Sequence, residues 1–543
     1  MLFLQGVTYY HPNKDLLFQD IHFAVERRSK IALIGNNGAG KSTLLRLMAG
    51  ELQPSGGRIR AEGKSFYVAQ LYDRFNGLTV AGVLGIAEKL KALNEILAGN
   101  VTGANLELLD DDWEMEDRCR QAFRAWNLDG LRLDQPMDTL SGGEKTKVFL
   151  AGIAICRPDI VLLDEPSNHL DAASRTLLYE YIRSTTDALV VVSHDRTLLN
   201  LLPVVCELSK RGIAVYGGNY DLYAEQKRIE SDAREQELKG REKELRKAKV
   251  TARESLERQQ KLDARGKAKQ EKAGLPTIAM KTFRNNAEKS TARMQDVHTE
   301  KMAALARDLD QLRKELPDPG KMKINFDDSS LHTGKVLITA ADINFAYGGK
   351  AIWREALTFQ IRSGERVAIK GDNGVGKTTL INGILGNLQP ANGHIDRAGM
   401  SAVYVDQQYS LIDNQLTVLE QVQQDNSGAL QDHEIKIRLT RFLFSKEDWD
   451  KPCAVLSGGE KMRLILCALT VRHQAPDLIV LDEPTNNLDI QNLGILTAAV
   501  NDYQGTILVV SHDAIFLEEI GIGREMVLDM GSDSAADPDM GSD

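Results

Sequence analysis

Two short glycine-rich stretches, each ending in a lysine and a hydroxyl residue, recur with their lysines 336 positions apart. The first has the sequence GNNGAGKST and the second GDNGVGKTT, and each lies between an apolar strand pattern and a helix pattern. A strand, GxxxxGK[ST] and a helix form a P-loop, in which backbone N–H groups and the helix N-terminus face phosphates. The predicted nucleotide-binding residues are Gly35, Asn36, Asn37, Gly38, Ala39, Gly40, Lys41, Ser42 and Thr43 in the first copy, and Gly371, Asp372, Asn373, Gly374, Val375, Gly376, Lys377, Thr378 and Thr379 in the second.

A magnesium site is predicted beside each P-loop. The hydroxyl groups of Ser42 and Thr378 suit Mg²⁺. The apolar stretches VLLDE and IVLDE end in paired carboxylates, and the first of each pair, Asp164 or Asp482, suits the same metal shell. ATP and Mg²⁺ are therefore the expected cofactors.

Four further residues have the types needed for hydrolysis. Glu165 and Glu483 follow the metal-binding aspartates and could orient and activate the attacking water. His194 and His512 end the two VVSHD stretches, and the repeated context favours contact with the γ-phosphate over a structural role. We predict two competent sites, because neither copy has lost a glutamate or a histidine.

The order of these motifs is the same in both halves, which indicates two copies of one domain. The offset between copies falls from 337 at Gln70 and Gln407 to 316 at Ser141 and Ser457. The first copy therefore carries about twenty additional residues, which we place near 85–125 as a short arm-like excess.

The LSGGEK stretches at Leu140 and Leu456 resemble the signature of ATP-binding cassette (ABC) ATPases. The resemblance implies that Ser141 and Gly143 complete the site at Lys377. It likewise implies that Ser457 and Gly459 complete the site at Lys41.

Two further pairs of residues take expected roles from the same resemblance. Gln70 and Gln407 match the family's Q-loop, near nucleotide and Mg²⁺. Tyr347 in the second copy and Tyr10 (or Tyr9) in the first are placed to stack on adenine.

About one hundred residues rich in Lys, Arg, Glu and Gln separate the two copies. Apolar residues recur at helical spacing on both sides of an AGLP break, which predicts an antiparallel α-hairpin with its tip near 271–290. The stretch from Arg241 to Ser290 has 15 Lys and Arg against 7 Asp and Glu, although the whole chain has a net charge of -10. A charge run alone is usually a solvated helix face, but the apolar tip beside it favours docking on nucleic-acid phosphates.

The whole arrangement is similar to subfamily F of the ABC ATPases (ABC-F). The expected fold is α/β: two tandem ABC-type P-loop ATPase domains joined by a long antiparallel α-helical hairpin linker. We expect the first domain at 1–222, the linker at 223–320, the second domain at 321–530 and a disordered acidic tail at 531–543.

The resemblance implies action in the ribosomal tRNA exit site, with the linker reaching toward the peptidyl-transferase centre. The implied partners are rRNA and the P-site tRNA. The implied role is that of a translation factor relieving stalled ribosomes, or that of a factor protecting ribosomes from antibiotics. The protein would be a cytoplasmic monomer whose two cassettes pair within one chain.

Two other function classes remain as alternatives. The first is the soluble ATP-binding subunit of a membrane transporter, which would need a membrane-spanning coupling partner, and nothing in the sequence suggests one. No apolar run in the chain itself approaches the ~18 residues of a membrane span, and the N-terminus lacks a signal-peptide pattern. The second is a DNA-repair ATPase, in which a coiled coil would split one cassette. Here each cassette is complete on one side of the linker.

Overall fold

The computed structural model describes residues 1–70, 75–210, 212–272, 292, 296–297, 299–309, 334–428, 430–486 and 488–529. The chain divides into two units, one formed by Met1–Tyr220 with Pro319–Asp543 and the other by Asp221–Asp318. The first unit contains both nucleotide-binding cassettes. The tip near 271–290 falls mainly outside the described residues, and the tail at 531–543 lies entirely outside them.

The first cassette combines two sheets. Its strands are β1 Leu2–Tyr10, β2 Leu16–Val25, β3 Lys30–Ile34, β4 Gly56–Ala61, β5 Ser65–Val68, β6 Ile160–Asp164, β7 Ala188–Val192, β8 Val204–Ser209 and β9 Gly212–Gly217. The order β2-β1-β4 forms an antiparallel sheet, and the order β5-β6-β7-β3-β8-β9 forms a sheet in which only β9 runs antiparallel to its neighbour. Every residue of β6 and β7 is buried, as expected for central parallel strands covered on both faces.

Helices follow these strands at their carboxyl ends. They are α1 Lys41–Met48, α2 Val80–Val83, α3 Ala87–Leu97, α4 Gly103–Leu109, α5 Met115–Ala125, α6 Gly142–Cys156, α7 Ala172–Ser184 and α8 Arg196–Leu199. A long helix, α9 Tyr220–Lys272, leads out of the cassette. In open parallel sheets, ligands bind at the carboxyl ends of the strands, and both predicted carboxylate pairs lie there.

The second cassette repeats this plan. Its strands are β10 Val336–Asn344, β11 Ala346–Tyr347, β12 Lys350–Ala351, β13 Leu357–Arg362, β14 Arg366–Lys370, β15 Asn392–Arg397, β16 Ala402–Val405, β17 Leu478–Asp482, β18 Thr506–Val510 and β19 Arg524–Val527. Its helices are α10 Lys377–Leu385, α11 Val418–Gln424, α12 Asp432–Arg441, α13 Gly458–Val471, α14 Ile490–Asp502 and α15 Ala514–Glu519. The order β16-β17-β18-β14-β19 is parallel throughout, and β13-β10-β15 is antiparallel.

The additional residues of the first cassette fold as helices. Threonine caps the equivalent helices α2 and α11 in both copies, at Thr79 and Thr417. The second copy then passes from Gln424 to Asp432 in a short connection, whereas the first inserts α3 and α4, which pack against each other. The excess is therefore two short helices.

The linker unit is dominated by α9, which has 53 residues. At ~1.5 Å per residue this helix is about 80 Å long. The helix begins at Tyr220, before the predicted linker boundary at 223, and continues to Lys272, directly before the AGLP break in the sequence. Of the stripe predicted for the second half of the linker, Met302, Leu305 and Leu309 lie in a helical stretch at 299–309, while Leu312 and Leu316 lie outside the described residues.

Candidate functional site

The turn into each P-loop helix requires glycine. Gly40 and Gly376 have φ angles of 96° and 93°, in the left-handed region that side chains disfavour. A Cβ atom at Gly40 would lie 2.7 Å from the Leu17 side chain. The sequence thus forms a close turn that brings the start of α1 against β2, and the N-terminus of a helix is favourable for an anion.

The P-loop lysines are held by their own loops. Lys41 Nζ donates to the carbonyl oxygens of Gly35 at 2.7 Å and Asn36 at 3.4 Å. Lys377 Nζ makes the same pair of contacts, to Gly371 at 2.7 Å and Asp372 at 3.1 Å. Burial lowers the pKa of both lysines. Each ammonium group is therefore already positioned inside the loop that would enclose the phosphates.

The predicted magnesium ligands are adjacent in both cassettes. Ser42 Oγ donates to Asp164 Oδ1 at 3.1 Å. Thr378 Oγ1 lies 3.5 Å from Asp482 Oδ2, so this contact is looser. A hydroxyl and a carboxylate side by side at the end of a strand form a suitable donor set for a hard cation.

A tyrosine hydroxyl donates a hydrogen bond to each of these aspartates. Tyr67 OH donates to Asp164 Oδ2 at 2.9 Å, and Tyr404 OH donates to Asp482 Oδ2 at 2.8 Å. The sequence reasoning missed both tyrosines. The signal for them was the Tyr-Val pair before each Q-loop glutamine, in YVAQ and YVDQ.

The predicted catalytic glutamates and histidines face one another. His194 Nε2 lies 3.3 Å from Glu165 Oε1, and His512 Nε2 lies 3.3 Å from Glu483 Oε1. The His194 backbone N–H also donates to Glu165 Oε2 at 3.2 Å. Both glutamates have positive φ angles, 51° and 48°, which is an uncommon conformation outside glycine that recurs at functional sites.

Burial controls the protonation of these groups. It raises the pKa of Glu165 to about 8 and that of Glu483 to about 7. It lowers the pKa of His194 to about 3 and that of His512 to about 4, so both imidazoles are neutral at physiological pH. Carboxyl groups with pKa values near neutrality are suited to exchange a proton with water.

The signature serines cap the helices that follow them. Ser141 Oγ accepts from the Glu144 backbone N–H at 3.3 Å, and Glu144 Oε2 accepts from the Ser141 N–H at 2.8 Å and from its hydroxyl at 2.7 Å. Ser457 and Glu460 form the same capping box. The glutamate of LSGGE thus fixes the signature loop, a local role that the sequence reasoning did not assign.

The two cassettes contact each other through their nucleotide-binding loops. The Asn37 backbone N–H donates to Asp489 Oδ2 at 3.0 Å, and Asn373 Nδ2 donates to the His169 carbonyl at 3.1 Å. A Cβ atom at Gly143 would lie 3.9 Å from Asn373 Nδ2. The structure therefore brings the first signature loop next to the second P-loop.

A cavity of about 270 Å³ opens at the first P-loop. Three of its lining residues, His11, Leu17 and Val192, were not predicted. The other lining residues are predicted phosphate, metal or catalytic residues: Asn37, Gly38, Gly40, Lys41, Ser42, Thr43, Gln70, Asp164, Glu165 and His194. Most of the predicted first site is thus gathered around one space.

The remaining predicted residues lie at the margins of the two sites. Tyr10 and Tyr347 have exposed fractions of 46% and 64%, and His11 lines the first cavity where Tyr10 was expected. Gln407 is exposed just beyond β16. Tyr347 OH lies 3.4 Å from Thr379 Oγ1, which keeps this ring close to the second P-loop.

Comparison with known proteins gives concordant matches. A family model described as ABC transporter matches residues 18–168 and 355–486. The energy-dependent translational throttle protein EttA of Mycobacterium tuberculosis is 33% identical, over 95% of this chain and 89% of its own. ABC transporter F family member 5 of Arabidopsis thaliana is 29% identical, over 93% of this chain and 72% of its own.

A solved structure supports the fold. The archaeal ribosome recycling factor aABCE1, in complex with the ribosomal stalk protein aP1, superposes with a TM-score of 0.59. The match covers 96% of this chain and 87% of the archaeal chain. At 20% sequence identity it shows a similarity of fold and no more. Among the described residues, no helix is both long and apolar enough to cross a membrane.

Proposed function

Because the chain belongs to the ABC-F subfamily of the ABC ATPases, we propose that it acts on the ribosome. It hydrolyses ATP, as its paired cassettes and its relatives imply. The proposed binding place is the tRNA exit site, with the linker directed toward the peptidyl-transferase centre and the P-site tRNA. There it acts as a cytoplasmic translation factor that relieves stalled ribosomes, or as a protein that protects them from antibiotics.

The observation that carries this proposal is the element between the cassettes. A helix of 53 residues begins at the end of the first cassette, and the stretch from Arg241 to Ser290 has 15 Lys and Arg against 7 Asp and Glu. Lysine and arginine on an extended helix neutralise phosphates along RNA. The relative at 33% identity is named a translational throttle, which agrees with a partner in translation.

The chemistry follows from the residues at each P-loop. When bound, ATP with Mg²⁺ supplies the phosphoryl group and the metal charge. In the first site, Lys41 would exchange its loop carbonyl contacts for phosphate oxygens, and Ser42, Asp164 and Gln70 would hold the metal. Glu165 takes the proton of the attacking water.

The second site uses the equivalent groups of the other cassette. Lys377 contacts the phosphates, Thr378, Asp482 and Gln407 hold the metal, and Glu483 accepts the proton. The neutral rings of His194 and His512 each stand beside the glutamate of their own site, where they position the transferred phosphoryl group.

Closure links this chemistry to movement. Ser141 and Gly143 approach the nucleotide of the second P-loop, and Ser457 and Gly459 approach that of the first. A nucleotide held by both cassettes stabilises the closed form, and hydrolysis removes that stabilisation. The chain completes both sites by itself, so the proposed working form is a monomer.

Co-sedimentation with ribosomes tests the proposal. We expect the protein to pellet with ribosomes in the presence of Mg²⁺ and ATP and to lose binding steeply as salt rises, because released counterions drive phosphate contacts. Flotation with membrane vesicles is the parallel arm, since a transporter subunit would follow the membranes. Protein that floats with vesicles and does not pellet with ribosomes would overturn the proposal.

A further inference from the structure

The contacts between the cassettes are not the same at the two sites. Arg175, in the first turn of α7, donates from Nη1 to the carbonyl oxygen of His512 in the opposite cassette at 3.5 Å. The same side chain donates from Nε to the Leu170 carbonyl at 3.2 Å. It is therefore anchored in the first cassette while it contacts the loop that carries a catalytic residue of the second.

The surroundings of Arg175 fix its guanidinium group. Nη1 lies 3.8 Å from Asp195 Oδ2, and this ion pair is well buried, with side-chain exposures of 11% and 9%. Tyr179 OH donates to the same Asp195 oxygen at 2.5 Å. An arginine held by a backbone carbonyl and a buried carboxylate loses little additional freedom when it contacts a third group.

A second contact between the cassettes starts from the same side. Arg196 Nη1 lies 2.5 Å from Glu519 Oε1 in α15, the helix that follows His512. Two arginines of the first cassette thus contact the segment that follows β18: Arg175 contacts the loop, and Arg196 contacts the helix. Arg175 contacts the backbone of His512 itself, whereas Arg196 contacts a side chain at the end of the helix that follows His512.

The mirrored positions cannot make these contacts. The offset of 318 positions that relates Asp171 to Asp489 takes Arg175 to Leu493 and Tyr179 to Thr497. It likewise takes Arg196 to Ala514 and Glu519 to Leu201. Leu493 is buried in the apolar core of the second cassette, so the site at Lys41 receives no arginine from this position of the partner cassette.

We propose that Arg175 is a positioning residue for the second site, through which the docked first cassette sets the His512 loop, while the site at Lys41 receives no arginine from the mirrored position. The inference rests on the proposed roles of Glu483 and His512. The two sites thus have the same chemical groups, but among the described residues only the second is contacted by an arginine of the opposite cassette. Docking of α7 sets the His512 loop, and the first cassette thereby controls when the second site can turn over.

Single-site variants separate the two turnovers. In E165Q only the second site keeps its glutamate, and in E483Q only the first does. The readout is the first ADP formed per molecule, measured by acid quench across a series of ATP concentrations. The first ADP can come only from the site that keeps its glutamate. This single turnover is measured even if the substituted site keeps the cassettes closed afterwards.

We expect R175L, which introduces the residue of the mirrored position, to slow the first turnover about tenfold in the E165Q background. The slowing in the E483Q background should be several-fold smaller. The ATP concentration for half-maximal rate should stay within about twofold, because Arg175 contacts no P-loop residue. R175K, which keeps the charge, should restore most of the rate, and R183L, at an exposed arginine of the same helix, should change neither site.

Three outcomes would each overturn the inference. They are equal slowing at both sites, no slowing at the second site, and an R175K variant as slow as R175L. Thermal unfolding of each variant identifies loss of the fold, and R175Q, which keeps a polar side chain but not the charge, provides the test of selective slowing at the second site if R175L unfolds. Ribosome pelleting is scored separately. Its failure alongside a selective second-site effect would remove the proposed ribosomal role and leave the coupling intact.

Discussion

Tyr67 donates its hydroxyl hydrogen to Asp164 over 2.9 Å, on the carboxylate whose other oxygen accepts from Ser42. The tyrosine therefore fixes the orientation of a predicted metal ligand without contacting the metal site itself. Removing a group that orients a metal ligand typically lowers metal affinity by roughly 10- to 100-fold.

We expect Y67F to raise the Mg²⁺ concentration for half-maximal ATPase activity about tenfold, because the aspartate becomes free to rotate. Y404F should do the same at the second site through Asp482. A magnesium titration of ATPase activity at saturating ATP measures both. Phe keeps the ring, so an unchanged magnesium dependence would show that these hydroxyls do not orient the ligands.

A buried ion pair joins the loop after α4 to α5 in the first cassette. Arg118 donates to both oxygens of Asp112, at 2.8 and 2.7 Å, and to the Ile155 carbonyl at 3.0 Å. D112N should lower the free energy of unfolding by about 1–3 kcal/mol, because a largely buried guanidinium loses its charged partner. Denaturant unfolding gives the value.

The matched control for D112N is D117N. Asp117 pairs with Arg120 at 2.6 Å, but both side chains are more than two-thirds exposed, so little stability should be lost. The Arg118 hydrogen bond lowers the pKa of Asp112. Its contribution is therefore present above the unfolded pKa of about 3.9 and disappears as the pH falls through the lower folded pKa. A D112N effect that persisted unchanged at the lowest pH would contradict this assignment.

The linker tip is expected to determine the effect on translation. Replacing its four apolar residues with serine should leave the basal ATPase rate within about twofold, since the P-loop, metal and catalytic residues all belong to the cassettes. The change should abolish the effect on stalled or drug-inhibited ribosomes in an in vitro translation assay. The four residues are Leu275, Ile278, Met280 and Phe283.

Neutralising the neighbouring lysines should affect ribosome binding, in contrast to the serine replacements, which should affect translation. Changing Lys267, Lys269, Lys272 and Lys281 to glutamine should weaken ribosome pelleting and flatten its salt dependence, because fewer counterions are released. A serine variant that restored translation as well as the wild type would show that the apolar tip is passive.

The sequence predicted those parts of the site that depend on local motifs. The P-loops and strand-end carboxylates are each formed within a few residues, so their residue types and spacing identify them. The signature loops were identified by resemblance to the ABC family, and their capping by Glu144 and Glu460 was not predicted. Arg175 could not be predicted, because its partner His512 is 337 positions away and its own motif gives no sign of the contact. The additional residues near 85–125 were located by offset, but their folding as α3 and α4 depends on packing that the offset does not describe.

Ribosome occupancy of the E165Q/E483Q variant tests the central claim most directly. Glutamine keeps the shape of the side chain but cannot accept the proton of the attacking water, so the closed, ATP-bound form should accumulate. In excess ATP we expect this variant to pellet with ribosomes far more than the wild type and to inhibit translation, whereas K41A/K377A should not accumulate. Equal occupancy for the wild type, E165Q/E483Q and K41A/K377A would contradict a ribosome-binding cycle driven by the two ATP sites.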